Sequence, residues 1–108
     1  MKRVIIESPY AGDVETHVRY ARRCVEHSLL RGEAPLASHL LYTQEGILDD
    51  NIQAQRDKGI EAGHAWFEVA DYIVFYLDYG TSVGMDLALN RAEELGRPVI
   101  SRQIGRNP

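Results

Sequence analysis

The sequence predicts an α/β fold: a parallel sheet with helices packed on both faces. Short β-branched or apolar runs alternate with helix-length segments, giving the order β-α-β-α-β-α-β. The run DYIVFYLD, Asp71 to Asp78, is apolar on both faces, as a strand covered from two sides must be. Turn-forming Gly, Ser, Thr and Asp follow the apolar runs, and crossovers long enough to hold a helix join parallel strands with right-handed connections.

Taken in order, RVIIES opens as a β-branched strand and stops at SPYAGD, where Pro9, Gly12 and Asp13 favour a turn. Asp13 is a candidate N-cap for a helix over VETHVRYARRCVEHSLLRG. Val14, Val18, Ala21, Val25 and Leu29 recur at steps of three and four and predict its buried stripe, with Gly32 as the stop. APLASHLLY, Ala34 to Tyr42, reads as a second strand despite Pro35, followed by the polar loop TQEGILDDN. Ile52 to Val69 reads as a helix weakened by Gly59 and Gly63, each costing up to about 1 kcal/mol against Ala. After the central strand comes a Gly/Ser/Thr loop, then a helix from Ser82 to Leu95 capped by Gly96, and a last strand PVIS.

At 108 residues the chain is expected to form one domain over residues 1–108, because two separate cores would each be too small to hold. The apolar share of 44% is that of a globular protein. The longest apolar run, Tyr72 to Leu77, is far too short to span a bilayer, and the N-terminal residues lack a secretory pattern, so a cytoplasmic protein with no membrane partner is expected. A net charge of −4 argues against general nucleic-acid binding. The cluster Arg19, Arg22 and Arg23 lies at helical spacing and reads as a solvated face. Cys24 sits among apolar neighbours and reads as a packing residue. No metal is expected, since His17, His27, His39 and His64 form no close pair and neither HExxH nor CxxC occurs. GxGxxG, the Walker pattern and GxSxG are also missing, which disfavours a dinucleotide cofactor, a P-loop and a serine triad; no cofactor is expected.

In parallel α/β sheets ligands sit beyond the carboxyl ends of the strands, near the point where strand order reverses. That rule selects the loops Ser8 to Asp13, Ser38 to Gln44 and Asp78 to Asp86. In the third, Gly80 and Gly84 permit close backbone approach, Thr81 and Ser82 offer hydroxyls, and the following helix presents unpaired N–H groups to an anion. The alternative is a plain turn with Ser82 as N-cap. In the first, Ser8 and Tyr10 can hydrogen-bond a ligand, Tyr10 can stack on a base, and Asp13 is either a cap or a ribose acceptor. His39 and Tyr42 are expected at the end of the second strand, facing the other two loops.

With those residues in place, the chain resembles the nucleoside 2-deoxyribosyltransferase-like superfamily, which includes deoxynucleoside-monophosphate N-glycosidases. The resemblance lies in the turn SPYAGD, in WFEVADYIVFYLD with Trp66, Ala70 and Asp71, and in GTSVGMDLALNRAEELGRPV; small phage-type members with P-Y-x-G-D and H-L-L-Y elements are the most similar. It implies a flavodoxin-like three-layer sandwich with a four- or five-stranded parallel sheet, a homo-oligomer, and a pocket for a nucleoside or nucleotide. Catalytic members attack the anomeric carbon with a Glu, as retaining glycosidases do. Counted back from Gly96 that Glu falls on Ala88, counted from Gly84 it falls on Asp86, and the second family acid, three residues before Trp66, falls on Gly63. A two-residue shift turns a helical side chain by about 200°, so Asp86 and Glu61 are not simple replacements; Asp86, in the first helical turn, is the one candidate nucleophile.

The resemblance thus implies that Ser8, Tyr10, Gly12, Asp13, Asp78, Gly80, Thr81, Ser82 and Gly84 surround sugar and phosphate, with His39 and Tyr42 at the base. Three readings follow: an N-glycosidic hydrolase or transferase, a binder that captures a nucleotide-derived signal without turnover, and a structural module. The adjacent aromatics Trp66 and Phe67 exceed what one helix face can bury, and one of them is expected either at a subunit contact or in the core.

Overall fold

The computed structural model describes residues 1–105. Its elements are β1 (Arg3–Glu7), α1 (Val14–Leu30), β2 (Ala34–Leu36), α2 (Ser38–Leu41), α3 (Gln53–Ala65), a 3-10 turn (Trp66–Val69), β3 (Tyr72–Tyr76), α4 (Val83–Glu94) and β4 (Val99–Arg102). The strands form one parallel sheet in the order β2-β1-β3-β4. The chain steps from β1 outward to β2, then returns across β1 to reach β3. Strand order therefore reverses between β1 and β3, as in flavodoxin-like sheets.

Alternating side chains divide the core between the two faces. Val4, Ile6, Val74 and Tyr76 pack with Tyr20 and Cys24 of α1. Ile5, Ile73 and Phe75 pack on the other face with Phe67 and with Met85, Ala88 and Ala92 of α4. Asp71 staples the start of β3 to β1: its carboxylate accepts from the Arg3 amide at 2.7 Å, and its own amide donates to the Arg3 carbonyl at 2.7 Å.

Two expectations need correction. The second strand is only three residues long, and the SHLL segment that follows is a helical turn, so His39 and Tyr42 ride on and just after α2 rather than at a strand end. Only β1 is available to pair with β2, and once that pairing stops the chain turns inward. In α1 the buried line is Tyr20, Ala21, Cys24 and Ser28, whereas Val14 and Leu29 are exposed. The helix is rotated from the all-aliphatic stripe so that Tyr20 and Ser28 turn inward and donate hydrogen bonds to Asp78 and Glu33 respectively. Cys24 is fully buried, and burial pushes its thiol up to about 12, which suits packing rather than nucleophilic chemistry.

Candidate functional site

The three loops converge. A cavity of about 210 Å³ opens beyond the carboxyl end of β1, walled by the loop after β1, by α2, by α3 and by the first turn of α4. It lies where strand order reverses.

Glu7 forms part of the cavity wall. Side chains alternate along a strand, so the last residue of β1 shares the face of Ile5, beneath α4 and the 3-10 turn. The residue is 9% exposed, and its carboxyl makes no hydrogen bond or ion pair among the described residues. Burial raises its pKa to about 8, so at neutral pH the group is largely protonated.

Ser8 follows, also buried, and its Oγ shares a 2.7 Å hydrogen bond with His39 Nε2. The other ring nitrogen, Nδ1, is shielded from solvent and has no partner among the described residues. Although part of the residue reaches the surface, burial of the ring pulls His39 down to about 4, leaving a neutral imidazole. Ser8 and His39 thus make a neutral polar pair with no orienting acid among the described residues.

The loop carrying Tyr10 is anchored from α1, where His17 Nδ1 donates to the carbonyls of Tyr10 and Ala11 at 3.1 and 2.9 Å. Tyr10 lines the cavity. Tyr42 lines it too, its hydroxyl accepting from Trp66 Nε1 at 2.9 Å. α2 and α3 approach closely because Gly63 has no side chain: a Cβ there would meet Ser38 Oγ at 2.4 Å. The side of the cavity formed by α3 carries Arg56 and His64. Arg56 pairs with Asp50 at 2.9 Å and is the one Lys or Arg among the described lining residues.

On the far side, Ser82 caps α4 by accepting from the Met85 amide at 3.2 Å. The amides of Val83 and Gly84 find no partner among the described residues, so the positive end of a three-turn helix faces the cavity.

Of the residues expected in the site, Ser8, Tyr10, His39, Tyr42, Ser82 and Gly84 line the cavity. Gly12 lies beside it in an adjoining shallow depression. Asp13 is the N-cap of α1, accepting from the Thr16 amide and hydroxyl. Gly80 and Thr81 are exposed outside the cavity. Asp78 is turned away from it, accepting from the amides of Ile104 and Gly105 and from the Tyr20 hydroxyl. Asp86 is also outside: in the first turn of α4 the inward direction belongs to Met85, and Asp86 faces solvent. Ala88 is buried in the core.

A family model described as a domain of unknown function, DUF7768, matches residues 2–102. The chain belongs to that family. No curated protein matches it. Among six matching solved chains is the 2-deoxyribosyltransferase of the psychrotolerant bacterium Bacillus psychrosaccharolyticus. The two share a TM-score of 0.64 at 16% identity, over 94% of this chain and 72% of that one. This DUF7768 chain therefore has a deoxyribosyltransferase-like, flavodoxin-like α/β fold. None of its described helices is long and apolar enough to cross a membrane.

Glu7, Asp50, Arg56 and His64 also line the cavity and were not selected from the sequence. For Glu7 a signal existed: in RVIIE the period of two puts the carboxylate on the side of core residue Ile5. For the others none did, because they come from the α3 side rather than from strand ends.

Proposed function

We propose that this DUF7768 protein binds a nucleoside or nucleotide in the cavity beyond β1. The observation that carries the reading is the gathering of two tyrosines, one arginine and the α4 N-terminus, with the Val83 and Gly84 amides unpartnered among the described residues, around one cleft at the sheet's reversal point. Tyr10 and Tyr42 offer aromatic faces and edges to a base, Ser8 and His39 offer neutral polar contacts, and Arg56 with the Val83 and Gly84 amides takes a phosphate. The likeness to a 2-deoxyribosyltransferase supports the same ligand class through its fold. Trp66, 44% exposed beside Tyr42, supports self-association at this edge, while Phe67 is in the core.

The test is a thermal-shift panel of nucleosides and their 5′-monophosphates, ribo and deoxy. A ligand at 100 times its Kd adds about 2.7 kcal/mol of stability, which for a domain of this size raises Tm by about 10 °C or more. Arg56→Ala should weaken monophosphates at least tenfold more than nucleosides. A panel with no shift overturns the proposal.

A second reading, capture without turnover, is favoured by the solvent-facing position of Asp86 and by Ala88 and Gly63, which carry no acid. It predicts retention of intact ligand.

A further inference from the structure

Resting on that reading of the cavity, we infer that Glu7 is a catalytic residue, the proton donor to the departing base in cleavage of a purine nucleoside or nucleotide N-glycosidic bond. The inference stands on placement. Glu7 is an acidic side chain more than nine-tenths buried, at the wall of the cavity, at the switch between β1 and β3, with no protein partner among the described residues. A structural carboxylate at such depth would be paired, as Glu33 is with Arg102 in the same protein. An unpaired one is explained by a group that the ligand supplies.

Its surroundings set its state. The other titratable groups lining the cavity are Tyr10 on the loop after β1, His39 on α2, Tyr42 just after it, Asp50 before α3, and Arg56 and His64 on α3; the first turn of α4 puts none into the lining, since Asp86 faces solvent. Arg56 is already paired with Asp50, and His39 is neutral, so no fixed cation holds Glu7 ionised. Burial then keeps the proton on the carboxyl up to about pH 8, the condition a general acid needs at neutral pH.

The step balances with water as the only co-reactant. Glu7 gives its proton to N7 of the purine as the C1′–N9 bond breaks, and that bond's electron pair leaves with the base. Water adds its oxygen to C1′, and the proton it releases returns to the Glu7 carboxylate. The products are free base and a sugar hydroxyl. Asp86 has no part in it.

The experiment follows free-base release from purine nucleosides and 5′-monophosphates by the full chain and by Glu7→Gln, with ligand binding measured in parallel by thermal shift. The neutral amide imitates the protonated acid in shape, so binding should persist within about threefold while release falls by about 10²–10⁴. A 4-nitrophenyl deoxyriboside, whose leaving group needs no proton, should be cleaved by both proteins at rates within about tenfold. Wild-type release should decline as pH rises through about 8, a limb that Glu7→Gln lacks. Release undiminished in Glu7→Gln, or equal loss on both substrate types, overturns the role of Glu7. Nucleotide binding with no release by wild type also overturns it while sparing the binding reading, and absence of any binding removes both.

Discussion

Glu7→Gln also makes a prediction that needs no ligand. In the native protein the Glu7 carboxyl is pushed up to about 8 by burial, whereas its ordinary value is 4.5. A raised carboxyl stabilises the fold fully only below the ordinary value, and the benefit is lost as pH climbs toward the native one. Between about pH 5 and pH 8 the wild type should therefore lose about 1.4 kcal/mol per pH unit relative to a variant that cannot ionise at this position. At pH 7 the gap is about 3 kcal/mol in favour of Glu7→Gln, and it closes near pH 4. For a domain whose total stability is of order 5–15 kcal/mol this is a large effect. Urea unfolding of both proteins at pH 4, 5, 6, 7 and 8, with a shared m-value as the control for cooperativity, measures it directly. A gap that stays constant across that range would refute the burial argument, because it would mean that Glu7 ionises in the native state as readily as in the unfolded chain.

Three further outcomes follow from the same structure. The Glu33 carboxylate accepts from Arg102 at 2.6 and 2.8 Å, from Ser28 Oγ at 2.8 Å and from the Tyr72 hydroxyl, and Arg102 above all holds it down to about 2. Its stabilisation is present above about pH 4.5 and lost as pH falls toward 2, and Glu33→Ala, which strands Arg102, should cost about 3–5 kcal/mol in urea unfolding at pH 6. Asp78→Ala should cost about 2–3 kcal/mol, since it removes the acceptor for the Ile104 and Gly105 amides and the Tyr20 hydroxyl, while leaving ligand affinity in the thermal-shift panel unchanged. Gly63→Ala drives a methyl into Ser38 and should cost about 1–3 kcal/mol by thermal melting, with recovery in the Gly63→Ala/Ser38→Gly double variant.

The sheet was legible because β3 and β1 are β-branched runs between turn residues, and α4 because Ser82 and Gly96 mark its two ends. α2 was not legible: SHLL carries strand-like leucines, and only the early end of β2, a matter of pairing with β1, makes it helical. The convergence of the three selected loops on one cavity was readable from topology. The chemistry of that cavity was less so. Thr81, Asp78 and Asp86 belong to a loop of the right composition, yet backbone direction aims them at solvent or at Tyr20. Glu7, hidden in the strand itself, takes the place where an acid meets the cavity.

The most direct measurement is a crystal structure of the chain soaked with a purine deoxynucleoside 5′-monophosphate. The account predicts density for base against Tyr10 or Tyr42, phosphate at the Val83 and Gly84 amides, and a base ring nitrogen within hydrogen-bond reach of the Glu7 carboxyl. A saturating soak that leaves this cleft empty, or seats the nucleotide elsewhere on the molecule, would contradict it.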